Sequence, residues 1–219
     1  MVLNLIPMLP EIFLSICAMG LLIVGVNFGN ESAKVISWFC AASAFLALVI
    51  LLNVPVGNVM VSANGLFKLD PFASVMKIII LIGVIASIAL SVRYLLQQGI
   101  SRFEYPVLIL LSAIGMMVMV SANNLLALYV GLELQSLALY VLAAFNRNSL
   151  KSSEAGIKYF VLGALSSGLL LFGISLIYGF TGTIDFAVLQ DTLVGGAAIP
   201  FGVTFGLVFI LAGLAFKVS

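Results

Sequence analysis

Hydrophobic and polar positions follow one another in long blocks along this chain. Seven apolar segments stand out, and each approaches the roughly 20 residues with which a helix crosses a bilayer core of about 30 Å. They are Ile12–Phe28, Val35–Val54, Phe72–Leu96, Pro106–Ala122, Leu125–Phe145, Ala155–Gly179 and a segment from Phe201 to the end of the chain. Runs of this length without strand-type alternation favour helices over a barrel. The pattern therefore predicts an all-α, polytopic transmembrane helix bundle with about seven helices.

The composition agrees with a membrane protein and argues against several other classes. Of 219 residues, 63% are hydrophobic and only 8% are charged, which is too little charge to cover a soluble domain. The net charge of +1 argues against nucleic acid as a partner. Histidine is absent, and we interpret Cys17 and Cys40, which lie in separate apolar segments, as packing residues. The chain shows no evident ligands for haem, iron–sulfur or zinc, so no cofactor is expected in it.

Positive charge is unevenly distributed over the loops. If the N-terminus lies outside, the inner loops carry five basic residues and the outer loops carry only Lys68. The five are Lys34, Arg93, Arg102, Arg147 and Lys151. Because cytoplasmic loops are enriched in lysine and arginine, we expect the N-terminus to face away from the cytoplasm. No basic residue precedes the first apolar run, which we interpret as a retained span rather than a cleaved signal peptide.

A carboxylate inside the fifth apolar segment is the first candidate functional group. An ionised side chain at the centre of a lone membrane helix costs at least ~2.5–3.5 kcal/mol, so Glu133 is expected to face the bundle interior. At helical spacing, Tyr129, Glu133, Ser136 and Tyr140 form one polar stripe, whose hydroxyls can hydrogen-bond a carboxylate or hold water. Two interpretations are open. Glu133 handles protons, or it is a static carboxylate tied to a lysine on a neighbouring helix.

Two lysines in later segments, Lys158 and Lys217, are the next candidates. Glu154 lies four residues before Lys158, so an ordinary ion pair along one helix explains Lys158 as well as a functional role does. A regular helix from Pro200 carries Lys217 about 25 Å along its axis, where its side chain can reach the headgroups. An interrupted helix, or one that begins well before Pro200, places Lys217 near the middle of the membrane instead. Spacing alone leaves both lysines undecided.

Other charged and small residues are interpreted as structural. Lys77, six residues into the third segment, is expected to be an interfacial anchor. Glu11 is expected to be a helix-start acid that the helix dipole favours. The small-residue stretch Gly163–Gly168 allows another helix to approach closely, which predicts packing rather than chemistry.

A carboxylate and lysines in a dry interior can move protons. When they are close, each group stabilises the charged form of the other; when they separate, desolvation favours the neutral forms. Moving one charge along such a row therefore loads or unloads the next site. A proton crosses a membrane against about 2.3 kcal/mol per 100 mV, and coupled shifts of a few pK units, at about 1.36 kcal/mol each, are of that size.

Two long blocks of sequence resemble a known family. They are GLELQSLALYVLAAF, which contains Glu133, and SSEAGIKYFVLGALSSGLLLFGISLIYGFTG over Ser152–Gly182. With PEIFLS near the start and LDPFASVMK over Leu69–Lys77, they resemble the antiporter-like membrane subunits of respiratory NADH:quinone oxidoreductase, complex I, in bacteria. The resemblance covers nearly the whole chain.

The resemblance implies a fold of fourteen helices with two inverted five-helix repeats, each containing a broken helix. This chain is then expected to form the N-terminal half of that fold. Residues 1–105 would be an N-terminal three-helix segment, and residues 106–219 a first antiporter-like repeat that is truncated within its seventh helix. The family continues beyond that point into a Pro-Phe-His stretch and a second repeat with another buried lysine. Neither is present here, so no complete proton path can be drawn from these residues.

The resemblance also implies a site. The family's glutamate on the fifth helix falls on Glu133, its sixth-helix lysine on Lys158 and its broken-helix lysine on Lys217. Lys217 would then be the switchable proton carrier, Glu133 the partner that controls it, and Lys158 the relay between them.

The function implied is that of a proton-translocating subunit of NADH:quinone oxidoreductase. Quinone reduction elsewhere in the assembly would drive proton movement here, with no redox chemistry in this chain. The expected partners are other membrane subunits, including neighbouring antiporter-like ones, together with protons and the lipid bilayer of a bacterial inner membrane. Two alternatives are a subunit of a multi-subunit sodium/proton antiporter and a structural membrane spacer whose ion pairs are static.

Overall fold

The computed structural model describes residues 5–54, 59–194 and 199–218, and it contains eight α-helices there. The helices are α1 (Leu9–Phe28), α2 (Ala33–Asn53), α3 (Pro71–Gln97), α4 (Glu104–Val120), α5 (Leu125–Ala143), α6 (Leu150–Thr181), α7 (Phe186–Val194) and α8 (Phe201–Val218). Each of the seven predicted apolar segments corresponds to one helix, since α1 to α6 and α8 follow them in order. The predicted all-α bundle is confirmed. Gly195, Gly196 and Ser219 lie outside the described residues.

Most of these helices are long and apolar enough to cross a membrane. Six of them meet that condition by length and hydropathy, and the exception among the seven is α4, an apolar helix of 17 residues. Large apolar side chains such as Leu90, Phe72 and Phe201 are exposed on the outside of the bundle. A surface of this kind suits lipid, which is a solvent for apolar side chains and gives backbone polar groups no partner.

A first hydrophobic core holds α1 to α4 together. Helix α2 packs between α1 and α3, and α4 packs on all three. Completely buried members of this core include Leu14, Cys40, Leu81 and Leu110. The prediction that the cysteines are packing residues is confirmed for Cys40, whereas Cys17 is half-buried.

A second core joins α5, α6, α7 and α8. Its buried members include Leu132, Leu170, Ile174, Leu189 and Ile210. Helix α5 also packs along α4, and α6 packs on both α5 and α8. Helix α5 therefore lies between the two cores, and α6 packs between α5 and α8.

Two elements were not predicted from the hydropathy pattern. Strands β1 (Met60–Ser62) and β2 (Phe67–Leu69) form an antiparallel hairpin between α2 and α3, and its turn contains Asn64 in the left-handed region at φ 56°. The short helix α7 follows α6 at the end of the bundle where the hairpin lies. There the Asn124 backbone forms a bridge with the Asp185 backbone. Both elements are too short to produce an apolar block, which is why the pattern missed them.

Candidate functional site

Helix α5 carries the central carboxylate of the site. The helix begins after Asn124, whose side-chain oxygen caps it by accepting a hydrogen bond from the Ala127 backbone N–H at 2.7 Å. Glu133 lies near the middle of α5, and the predicted stripe places Ser136 and Tyr140 on the same face. A regular, capped helix thus presents one carboxylate and two hydroxyls in a row.

The side-chain nitrogen of Lys217 on α8 contacts all three of these groups. Its Nζ lies 3.3 Å from Glu133 Oε2, 2.9 Å from Ser136 Oγ and 3.2 Å from Tyr140 Oη. An ammonium group has three N–H donors, so these three acceptors match its full hydrogen-bonding capacity. The Ser136 hydroxyl donates to the Leu132 carbonyl, which leaves its oxygen free to accept from the lysine. Three of the four predicted stripe residues therefore contact Lys217.

Close packing of small residues holds α8 in position for this contact. A Cβ added to Gly173 of α6 would lie 2.6 Å from the Gly206 carbonyl oxygen of α8, a distance that real side chains do not reach. Ser166 Oγ of α6 donates a hydrogen bond to the Gly213 carbonyl of α8 at 2.9 Å. Backbone-to-backbone packing of this kind is typical of membrane helices that approach through small residues. It allows Lys217, in the last turn of α8, to reach across to α5.

The Gly163–Gly168 stretch contributes chemistry as well as packing, so the prediction of packing alone is wrong. Ser167 Oγ donates a hydrogen bond of 2.6 Å to Glu133 Oε2, the same oxygen that faces Lys217. A Cβ at Gly163 would collide with the Tyr140 hydroxyl, so the glycine provides the space that this hydroxyl occupies. No periodicity in the sequence indicates that Ser167 faces α5.

The two charged side chains of the site are mostly, but not completely, buried. The side chains of Glu133 and Lys217 are 24% and 12% exposed in this chain. The Tyr140 ring packs edge-on against Tyr159 and Phe160 of α6, which fixes its hydroxyl beside Lys217. Pairing inside a low-dielectric bundle makes each charge depend strongly on the other.

Tyr140 also lines a cavity. Its volume is about 560 Å³, and it lies between α4, α5 and α6. Glu104 and Arg147 line the cavity together with Tyr140. Glu104 Oε2 is buried there without a hydrogen-bond partner among the residues that the structure describes. One cavity is therefore lined by two charged residues and by the tyrosine that contacts Lys217.

Lys158 lies apart from this cluster. Its Nζ is 2.5 Å from Glu154 Oε1 on the same helix, and the two side chains are 68% and 56% exposed. This is the ordinary ion pair that the spacing allowed. The structure of this chain therefore brings together two of the three predicted site residues, Glu133 and Lys217.

Lys77 is not an interfacial anchor, and that prediction is wrong. Its side chain is completely buried, and its Nζ lies 2.6 Å from Glu11 Oε1, which itself is 4% exposed. Glu11 does lie in the first turn of α1, as predicted for a helix-start acid. Its partner was missed because 66 positions separate the two residues in the sequence.

The fold and the site together define a class. The chain is a polytopic α-helical membrane protein in which a carboxylate of one helix and a lysine of another form an ion pair within the bundle. Residues 122–219 match a protein family described as "NADH:quinone oxidoreductase/Mrp antiporter, TM". The matched region contains Glu133, Ser167 and Lys217.

Relatives extend this similarity to nearly the whole chain. The NADH-quinone oxidoreductase subunit N of Rhodobacter capsulatus is 54% identical over 212 residues, which cover 96% of this chain and 44% of that protein. The subunit N of Paramagnetospirillum magneticum is 49% identical over 221 residues, covering 99% and 45%. The chain thus spans less than half the length of these relatives.

Solved structures share the fold. A chain of respiratory complex I from Thermus thermophilus superposes with a TM-score of 0.73 at 29% identity, over 94% of this chain and 43% of that one. A chain of the Mrp complex from Dietzia has a TM-score of 0.70 at 23% identity, over 97% and 41%, a likeness in fold alone. The resemblance to antiporter-like membrane subunits expected from the sequence is confirmed, as is the half-length antiporter-like fold.

Proposed function

We propose that this chain works as part of a proton-translocating membrane subunit of NADH:quinone oxidoreductase. The observation that carries the proposal is the contact of Lys217 with Glu133, Ser136 and Tyr140 across two helices. Quinone reduction elsewhere in the assembly provides the free energy, and this chain moves protons without redox chemistry of its own. The subunit N relatives, about half identical over this length, support the assignment.

The contact geometry suits a switchable proton carrier. The carboxylate, 3.3 Å away, is the counter-charge of the Lys217 ammonium. If the two separate, the ammonium is left without this counter-charge inside a low-dielectric bundle, and passing its proton to a neighbouring acceptor removes the unpaired charge. The Ser167 hydroxyl keeps its hydrogen bond to the Glu133 carboxylate, while the hydroxyls of Ser136 and Tyr140 remain as hydrogen-bond acceptors for Lys217 Nζ. Lys217 is then the carrier and Glu133 the control.

Lys158 completes the proposed site as a relay. Its ion pair with Glu154 is exposed in this chain, and four residues separate the two along α6. A relay there requires the Lys158 side chain to leave Glu154 and reach towards Glu133 as the charge pattern changes. Because both side chains lie on the surface of this chain, Lys158 has room to change its partner.

The arrangement in the membrane follows from the same proposal. The exposed apolar faces suit lipid and neighbouring membrane subunits, including antiporter-like ones, in a bacterial inner membrane. The positive-inside distribution favours an N-terminus outside the cytoplasm. Residues 1–105, with α1 to α3, form an N-terminal three-helix segment, and residues 106–219 form the antiporter-like repeat with the site.

The proposal is tested in the assembled complex that carries this chain. Glu133→Ala and Lys217→Ala should each lower proton pumping coupled to quinone reduction while the complex still assembles. Lys151→Gln, at an exposed position on α6, is the matched control and should leave pumping unchanged. Unchanged pumping in an assembled Glu133→Ala/Lys217→Ala double variant would discard the proposal.

A second candidate is a subunit of a multi-subunit sodium/proton antiporter. The matched family includes Mrp antiporters, and the Mrp complex of Dietzia shares the fold. This candidate requires transport in vesicles to depend on sodium. Proton transport that is unchanged when sodium is replaced by potassium selects the oxidoreductase.

A static spacer is the third candidate. It predicts that Glu133→Gln lowers the thermal stability of the complex and leaves proton transport intact.

A further inference from the structure

A second buried ion pair lies in the three-helix segment, far from the Glu133 site in sequence. Glu11 in the first turn of α1 faces Lys77 near the start of α3, with 2.6 Å between Oε1 and Nζ. The Phe67 ring of β2 covers the ammonium from one side, at 4.5 Å from Nζ to the ring centroid. Two membrane helices and a hairpin thus enclose one carboxylate and one amine.

The polar atoms of this pair are only partly satisfied. Glu11 Oε1 lies 2.6 Å from Lys77 Nζ, whereas Glu11 Oε2 is buried without a hydrogen-bond partner among the described residues. Ser74 Oγ, which lies three residues before Lys77 on α3, is buried and also lacks a hydrogen-bond partner within the described part of the chain. Because buried polar atoms in proteins are paired with protein groups or ordered water, this cluster calls for bound water.

A polar route leads from the pair to the end of the bundle. Asp70, Ser74 and Lys77 follow at spacings of four and three residues, so they share one face of α3 and its cap. Asp70 caps α3 by accepting from the Ala73 N–H at 2.7 Å. It also lines a cavity of about 280 Å³ with Lys68, Asn123 and Gln190. Ser74 therefore lies between the buried pair and a polar opening.

Charged groups from the neighbouring elements complete the surroundings. Lys68 of β2 lies 3.6 Å from Asp70 Oδ2, on the cavity side. Helix α4 ends beside the hairpin, where the Ser121 carbonyl accepts from the Lys68 N–H at 2.8 Å. Ser121 Oγ is itself buried and has no hydrogen-bond partner in the described residues. One unsatisfied hydroxyl thus lies on α3 three residues before Lys77, and another follows α4 beside the hairpin.

We propose that Glu11 and Lys77 form a second proton-exchanging site, connected through Ser74 and bound water to Asp70 and the polar cavity. One proton leaves Lys77 Nζ and passes along the Ser74 hydroxyl and water to the Asp70 carboxylate. The N–H bond breaks, an O–H bond forms on Asp70, and the total charge of Glu11, Lys77 and Asp70 stays the same. Water in the cavity then accepts the proton from Asp70, and renewed protonation of Lys77 returns the three groups to their starting charges.

Ser74 distinguishes this site from a static strut. A strut needs only the two charges, so removing a hydroxyl without a protein partner leaves it intact. A proton route needs the hydroxyl or the water that it holds. Ser74→Ala is therefore expected to reduce transport without loss of stability, and Ser74→Thr, which keeps a hydroxyl, is expected to retain it.

The inference rests on the proposed function, and both are tested together in the assembled oxidoreductase. In proteoliposomes, Ser74→Ala should lower the protons pumped per electron by half or more, and Ser74→Thr should restore them. Ser91→Ala, on the same helix but with its hydroxyl donating to the Ile88 carbonyl, is the matched control and should pump normally. High-resolution cryo-electron microscopy of the same complex should show water within hydrogen-bonding distance of Ser74 Oγ and Lys77 Nζ.

The outcomes separate the two ideas. Loss of pumping in Glu133→Gln with normal pumping in Ser74→Ala overturns the second site and keeps the proposed function. Normal pumping in Glu133→Gln overturns the proposed function. If Ser74→Ala fails to assemble, the cryo-electron microscopy map of the unaltered complex decides, and a dry cluster around Ser74 overturns the second site.

Discussion

Lys217 of α8 and Glu133 of α5, 84 positions apart in the sequence, face each other with 3.3 Å between Nζ and Oε2. The ammonium also contacts two hydroxyls of α5, and the carboxylate oxygen also accepts from Ser167 of α6. Three helices thus supply one hydrogen-bonded group of charges. Movement of any of the three helices changes the distance on which both charges depend.

Ser167→Ala should weaken the site by removing the second donor to Glu133 Oε2. Hydrogen bonds to charged groups contribute about 1.5–3 kcal/mol, and partial exposure of Glu133 places this one towards the lower end. We expect a several-fold loss of proton transport at nearly normal assembly. Ser37→Ala, a buried serine of α2 that donates to the Ala33 carbonyl, controls for removal of a hydroxyl. Transport at the unaltered level in Ser167→Ala would show that Lys217 alone positions Glu133.

Gly163→Ala should displace the Tyr140 hydroxyl from Lys217. The added methyl group collides with this hydroxyl, and the packing of Tyr159 and Phe160 against the Tyr140 ring limits how far it can move. Proton transport should fall, and the thermal unfolding temperature should fall with it.

Gly168→Ala on the same helix is the matched control, since nothing lies within 4 Å of its added Cβ. Alanine favours a helix over glycine by up to about 1 kcal/mol, so this variant should be at least as stable as the parent. Equal effects of the two substitutions would contradict the role assigned to the Tyr140 hydroxyl.

Lys158→Gln should affect transport less than Lys217→Gln does. Lys158 pairs with Glu154 on an exposed face of α6, so the substitution leaves the contact between Lys217 and Glu133 in place. Proton pumping measured for both variants at equal assembly checks the order. A relay predicts some loss in Lys158→Gln, so transport at the unaltered level in this variant would contradict that role.

Lys77→Met should destabilise the bundle, because it leaves the Glu11 carboxylate buried without a counter-charge. Removing one partner of a buried pair costs about 3–5 kcal/mol, whereas replacing both with apolar groups is often neutral. Glu11→Leu combined with Lys77→Met should therefore recover most of the stability lost in the single variant. Thermal unfolding of the purified complex measures both. A double variant as unstable as Lys77→Met would mean that packing, rather than charge, is lost.

Local patterns in the sequence were sufficient to predict the membrane helices and the part of the site that α5 carries. Apolar blocks predict membrane helices because every backbone group must be satisfied within its own segment. The stripe of Glu133, Ser136 and Tyr140 follows from helical spacing alone, so the sequence is sufficient to predict the polar face that contacts Lys217. The family resemblance, carried by the blocks around Glu133 and Lys158, assigned Lys217 where spacing left it undecided.

Tertiary packing decided which of these groups meet. The spacing of Lys158 from Glu154 was consistent with two roles, and only the fold places that pair on an exposed face. The sequence suggested an anchor role for Lys77, but the fold places Glu11 of α1 beside it. The sequence suggested only a packing role for Ser167, but in the fold its hydroxyl donates to Glu133.

Hydropathy and helical period describe each segment by itself, so the sequence determined which residues share a helix face. The energy of a charge in a dry interior depends on partners that loops bring from tens of residues away. Those partnerships were decided by how the helices pack, and here small residues such as Gly173 and Gly206 set how closely α6 and α8 approach.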